Sequence, residues 1–165
     1  LGGHPLQHDP KYLNMRIGMN SRLDTLQAAI LIEKLGVFAE EIELRQDVAQ
    51  RYADGLAGHV YSTPKVIEGG QSVWAQYVIE HPDRDGLAAH LKALGVPTAV
   101  YYPVPMHRQA PYAGFPVGPG GLPVSETKAG RVLALPMHAY LTEDVQDFII
   151  EGVRGYNGSA EAEAA

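Results

Sequence analysis

Gly18-Met19-Asn20-Ser21-Arg22-Leu23-Asp24-Thr25-Leu26-Gln27-Ala28-Ala29-Ile30-Leu31 opens a long helix and carries the chain's sharpest functional signal. Ser21-Arg22-Leu23-Asp24 has the form of a capping box, with Ser21 placed to accept from the first-turn amides. Leu23, Leu26, Ala28, Ala29, Ile30, Leu31 and Ile32 then follow, apolar nearly all round. A helix apolar on every side is buried on every side, or sandwiched between domains or subunits. Gly36 costs about 1 kcal/mol in a helix interior relative to Ala, which predicts a kink or break there. Past it the pattern turns amphipathic, with Phe38, Ile42, Ala49, Tyr52 and Leu56 on one face. Glu40, Glu41, Glu43, Arg45 and Asp47 are expected to face water, and Gly55 and Gly58 to end the helix.

Downstream the pattern reads as β-α-β. Val73 to Ile79 is strand-like, and His81-Pro82-Asp83 stops it at a helix N-terminus. Leu87, Leu91 and Leu94 line one face of a short helix that Gly95 closes, and Pro97 to Tyr102 reads as a second strand. From Pro103 to Pro123 runs an aromatic loop holding six of the twelve prolines. A loop that long in a compact domain is usually functional. Two helices, about Ser125 to Val132 and Thr142 to Tyr156, finish the chain with Leu133 to Met137 between them.

Composition narrows the function. At 165 residues, 45% hydrophobic and 19% charged, the chain is globular and long enough to bury a core. Its net charge of -6 argues against a nucleic-acid partner, whose phosphates need clustered Lys and Arg. The absence of cysteine excludes disulfides, thiolate zinc sites and a Cys nucleophile. No apolar run reaches the roughly 20 residues of a membrane span, so no membrane partner is expected and the cytoplasm is the default location. The chain opens on Leu1 with no Met before Met15 and closes on a small-residue tail over 157–165. Both features suit a piece of a larger protein.

Two places offer chemistry. At the helix head, free N–H groups and the dipole welcome an anion, to which Asn20 adds an amide and Arg22 a bidentate fork. A plain helix cap with a structural ion pair fits the same residues. The second place is Tyr101-Tyr102-Pro103-Val104-Pro105-Met106-His107-Arg108-Gln109, where two phenols, an imidazole and a guanidinium leave a strand together. That set suits a polar ligand cleft, or a packed Tyr-Pro loop. Lys11, Lys34, Lys65, Lys92 and Lys128 all sit in polar contexts and read as surface charges, not as a desolvated Schiff-base lysine. His4 and His8 have i, i+4 spacing, but Pro5 and Pro10 oppose a helix there and no third ligand follows, so no metal is expected.

The segment 18–31 resembles a signature of the DegT/DnrJ/StrS family of pyridoxal-phosphate-dependent nucleotide-sugar aminotransferases. The order that follows is similar too: Gly95 to Pro103, the His107 and Tyr112 segment, then Leu135-Pro136-Met137-His138 before a last helix. The motif is nearest that of UDP-2-acetamido-3-keto-glucuronate aminotransferases. The resemblance implies an α/β fold, the α+β C-terminal domain of a fold-type-I aminotransferase. Residues 1–21 would follow a cofactor domain, 22–58 form an interdomain or dimer helix, 59–156 form the small domain and 157–165 a flexible tail.

It also implies a cofactor, pyridoxal 5'-phosphate, with glutamate and a nucleotide-linked keto-sugar as substrates and a homodimer with shared active sites. By that resemblance Asn20 binds the cofactor phosphate, while Arg22, Tyr101, Tyr102 and His107 face substrate. The Schiff-base lysine would lie outside this chain, leaving no catalytic residue in it. Lipopolysaccharide or capsule sugar biosynthesis is the implied setting. A dehydratase branch of the family, and a non-catalytic ligand-binding or dimerisation module, stay open at this level.

Overall fold

The computed structural model describes residues 23–158. Helix α1 (Thr25–Leu56) runs for 32 residues without interruption. Its N-cap is Asp24, whose carboxylate accepts from the Gln27 amide at 2.7 Å. The cap therefore falls at the far end of the expected capping box, and Ser21 lies outside the described residues. Gly36 does not break the helix. Nothing lies within 4 Å of where its Cβ would stand, so no contact bends the chain there. Glycine's penalty of about 1 kcal/mol is small beside the cooperativity of so long a helix.

Burial along α1 divides in two. Leu26, Ile32 and Leu35 are 73%, 68% and 68% exposed, and burial begins only at Glu41. The expected burial of the first half is thus not supplied by the described residues, because no other described element packs against it. The expectation that Glu41 faces water is also corrected. Its carboxylate is buried under a hydrogen bond from Lys34 and one of 2.9 Å from the Tyr140 hydroxyl. A buried carboxylate persists only when paired in this way.

Strand β1 (Tyr77–Glu80) pairs antiparallel with β2 (Val132–Leu135), Tyr77 opposite Leu135 and Glu80 opposite Val132. Single bridges, Ser62 to Glu80 and Ala99 to Ala134, widen the sheet on either side. The β-α-β expectation needs correction here. The partner of β1 is the stretch 132–135, an apolar run buried almost throughout, and the 97–102 segment contributes only the bridge at Ala99. Pro97 and Pro103 lack the N–H that a longer ladder would need.

The start of β1 is shorter than predicted for a different reason. Trp74 has φ 46°, in the left-handed region, which ends any ladder before Tyr77. It is held there from α1. Arg45 donates to the Trp74 carbonyl at 3.1 Å, and the Trp74 indole N–H donates to Gln46 at 2.7 Å.

Helix α2 (Arg84–Ala93) is capped by Asp83 and closed by Gly95 at φ 81°, as its sequence predicted. Helix α3 (Pro123–Arg131) begins on a proline in its first turn, where the missing N–H costs nothing. Helix α4 (Glu143–Arg154) packs against both α1 and α2. Tyr52, Leu56, Tyr77, Ile79, Leu87, Leu91 and Leu133 are fully buried and form the centre of the core. Gly55 and Gly152 let α4 approach closely: a Cβ at Gly55 would stand 2.8 Å from Ile150, and one at Gly152 3.1 Å from Leu91.

Candidate functional site

The long loop after Ala99 is ordered by its prolines. Pro105 caps a 3-10 turn at Met106–Arg108, and Pro111 sits in the first turn of a second one at Ala110–Tyr112. Fixed φ angles let so irregular a path adopt one conformation. Gln109, only 3% exposed, braces the loop from within by donating to the Val104 carbonyl at 3.4 Å.

Between this loop and α3 opens a cleft of about 920 Å³. Tyr101, Tyr102 and His107, picked out from the sequence, all line it. The two tyrosine rings meet edge to face, 5.6 Å apart at 65°, across a cis peptide. From the other wall come Leu122, Ser125, Lys128, Ala129 and Val132, on one face of α3 and its exit. Tyr112 and Phe115 also line it, their rings 6.0 Å apart. Asn20 and Arg22 lie outside the described residues.

Sequence reading missed what joins the two walls. Glu126 on α3 accepts from His107 Nε2 at 2.8 Å and from Arg108 Nε at 3.0 Å. The hydrogen bond from His107, with help from the Arg108 guanidinium, holds the Glu126 carboxyl below its ordinary value of 4.5. The carboxyls of Glu41, bonded by Lys34 and Tyr140, and of Asp83, bonded by Tyr156, are likewise lowered. No periodic pattern links residue 107 to 126, because the contact crosses an irregular loop.

These lowered carboxyls set an acid limit. A carboxyl lower in the folded than in the unfolded state adds stability above its unfolded pKa, which is lost as pH falls through the folded value. The melting temperature should therefore hold from neutral pH down to about 5 and fall below about 4, where unfolded carboxylates take up protons first. Glu126→Gln should fall less steeply in that range; an equal slope would mean that the His107 contact adds nothing to stability.

The described residues do not by themselves accommodate pyridoxal phosphate. Lys34 and Lys128 each pair with a carboxylate and stay half-exposed, and Lys65 and Lys92 lie exposed, so no lysine stands desolvated in the cleft. Tyrosines, a histidine and apolar walls suit a polar organic ligand. Nor does any cluster of potential metal ligands occur among the described residues. No described helix is long and apolar enough to cross a membrane.

Residues 2–154 match the DegT/DnrJ/EryC1/StrS aminotransferase family. The chain belongs to this family. It is 47% identical over 133 residues to the UDP-2-acetamido-2-deoxy-3-oxo-D-glucuronate aminotransferase of Pseudomonas aeruginosa, covering 81% of this chain and 36% of that protein. Identity is 40% over 148 residues to the dTDP-3-amino-3,4,6-trideoxy-alpha-D-glucose transaminase of Micromonospora megalomicea, covering 87% of this chain and 40% of that one.

Among solved structures, a family aminotransferase from Brucella abortus superposes with TM-score 0.79 at 50% identity, over 92% of this chain and 40% of that chain. Streptomyces venezuelae DesV, crystallised with a ketimine intermediate, superposes with TM-score 0.75 at 35% identity, over 89% and 40%. The chain thus spans roughly two fifths of the length of the relatives it matches. Its α/β class and its likeness to aminotransferase structures agree with the sequence reading.

Proposed function

We propose that this chain is the substrate-binding, carboxyl-terminal part of a sugar-nucleotide aminotransferase. The whole protein would move an amino group from glutamate to the keto group of a nucleotide-linked sugar, foremost a UDP-linked 3-keto-uronate, in cell-surface polysaccharide biosynthesis. The observation that carries this reading is the single cleft gathering Tyr101, Tyr102 and His107 in a chain of this family. Its volume of about 920 Å³ is at the upper end of typical ligand clefts and suits a ligand larger than a lone monosaccharide. The uronate preference draws support from the 47% identity to the P. aeruginosa enzyme.

Within this reading residues 1–21 follow a cofactor domain, 22–58 bridge to it and to a second subunit, 59–156 hold the cleft and 157–165 form a tail. The exposed apolar half of α1 is consistent with such a bridge. Asn20 donates its amide to the cofactor phosphate of the neighbouring subunit, and Arg22 meets the substrate carboxylate with its planar fork. Tyr101 and Tyr102 orient sugar hydroxyls, and His107, steadied by Glu126, adds a ring nitrogen to the same wall. When bound, pyridoxal phosphate supplies the electron sink for amino transfer.

The direct test supplies the full-length protein with ¹⁵N-glutamate and keto-sugar nucleotides. The expected result is ¹⁵N on the sugar, with the UDP-linked keto-uronate consumed fastest. Loss of water from the sugar without nitrogen transfer would replace this reading with the dehydratase branch.

A further inference from the structure

Among the described residues lining the cleft, Lys128 is the one side chain with a permanent positive charge. It shares the cleft-facing side of α3 with Ser125 and Ala129. Its ammonium is anchored from behind. Glu80, at the end of β1, takes one N–H of Lys128 and also accepts from the Ser62 hydroxyl at 2.8 Å. The Glu80 side chain is 13% exposed while that of Lys128 is 52% exposed, so the pair is dry on the carboxylate side and wet on the ammonium side.

An ammonium has three donors, and Glu80 takes one of them. The neighbouring guanidinium of Arg108 is committed to Glu126. Burial alone would raise the Glu80 carboxyl, but the hydrogen bonds from Lys128 and Ser62, with the charges of Lys128 and Arg131, outweigh it and hold the group ionised. On a chain of net charge -6, an anion entering this cleft needs such a local cation.

We infer that Lys128 receives the diphosphate of the nucleotide-linked substrate, making the α3 wall the nucleotide side of the cleft and the Tyr101–Tyr102 wall the sugar side. This rests on the function proposed above. A diphosphate is a stronger and more diffuse anion than a single carboxylate, and a lysine ammonium serves it as a point charge without demanding planar geometry. Tyr112 and Phe115 line the same cleft.

The test compares binding of UDP, dTDP and the phosphate-free uridine to the full-length protein by calorimetry, with Lys128→Met and Lys128→Arg. Lys128→Met should weaken UDP or dTDP about tenfold, equivalent to about 1.4 kcal/mol, and leave uridine unchanged. Lys128→Arg should stay within about threefold of wild type, since it keeps the charge. Raising the salt should weaken UDP binding to wild type more than to Lys128→Met. Lys128→Met should melt somewhat lower, because Glu80 then keeps only the Ser62 hydroxyl, while Lys128→Arg should melt near wild type; cooperative melting of both establishes that the variants are folded.

Unchanged UDP affinity in Lys128→Met, or equal losses for UDP and uridine, would overturn the assignment. If the wild type aminates a nucleotide-linked sugar while Lys128→Met binds UDP normally, this inference falls and the proposed function stands. A wild type that binds neither nucleotide and transfers no nitrogen overturns both.

Discussion

Tyr52→Ala should cost about 3–5 kcal/mol, the range for emptying a large aromatic site in a core. Against a total folding stability of roughly 5–15 kcal/mol, that leaves the protein marginal or unfolded at physiological temperature. Tyr52 is fully buried, packs on Tyr77 with ring centroids 5.0 Å apart, and donates to the Pro136 carbonyl at 2.9 Å. One side chain thus ties α1 to β1 and to the chain leaving β2. Burial pushes its hydroxyl well above the ordinary tyrosine value, and that of Tyr77 up to about 12. Tyr52→Phe keeps the ring and loses only the hydrogen bond, for about 1 kcal/mol. Urea denaturation of the two variants checks the ratio. A cost for Tyr52→Ala close to that of Tyr52→Phe would show that the ring is not the centre of the core.

The second large effect falls on catalysis. Under the proposed function Arg22→Ala should lower kcat/KM for a UDP-linked keto-uronate roughly ten- to a hundredfold. Losing a charged, two-pronged hydrogen bond costs about 1.5–3 kcal/mol, and each 1.4 kcal/mol is a factor of ten. A neutral keto-sugar nucleotide, which has no carboxylate for the guanidinium to meet, should lose less than about threefold in the same variant. Parallel steady-state assays of the two substrates decide the matter. Equal losses would assign Arg22 to the cofactor, to the phosphates or to the helix cap.

How legible these features were follows from how local each signal is. Helices α1, α2, α3 and α4 were readable because 3.6-residue periodicity, Asp83 as a cap and Gly95 as a stop act within a few residues. The partner of β1 was not, since Val132–Leu135 looks like a linker until a strand more than fifty residues away pairs with it. Trp74 illustrates tertiary override: its residues read as strand, but Arg45 and Gln46 on α1 hold a left-handed turn.

In the cleft, the sequence brought Tyr101, Tyr102 and His107 to notice as one cluster of polar and aromatic residues. Glu126 and Lys128 stayed hidden because an acid and a lysine on a short polar helix read as a solvated face. Only the return of the proline-rich loop puts His107 and Arg108 on Glu126. The buried state of Glu41 was equally opaque, as its second partner, Tyr140, is 99 positions away.

The central claim is that this chain holds substrate while the cofactor-bearing lysine lies elsewhere in the protein. Mass mapping of the full-length protein after pyridoxal phosphate and borohydride, which fixes the cofactor to its lysine, tests it most directly. The expected result is a single adduct on a lysine outside these 165 residues. The chain alone, treated identically, should carry none. An adduct on Lys11, Lys34, Lys65, Lys92 or Lys128, or no adduct on the full-length protein, would contradict the account.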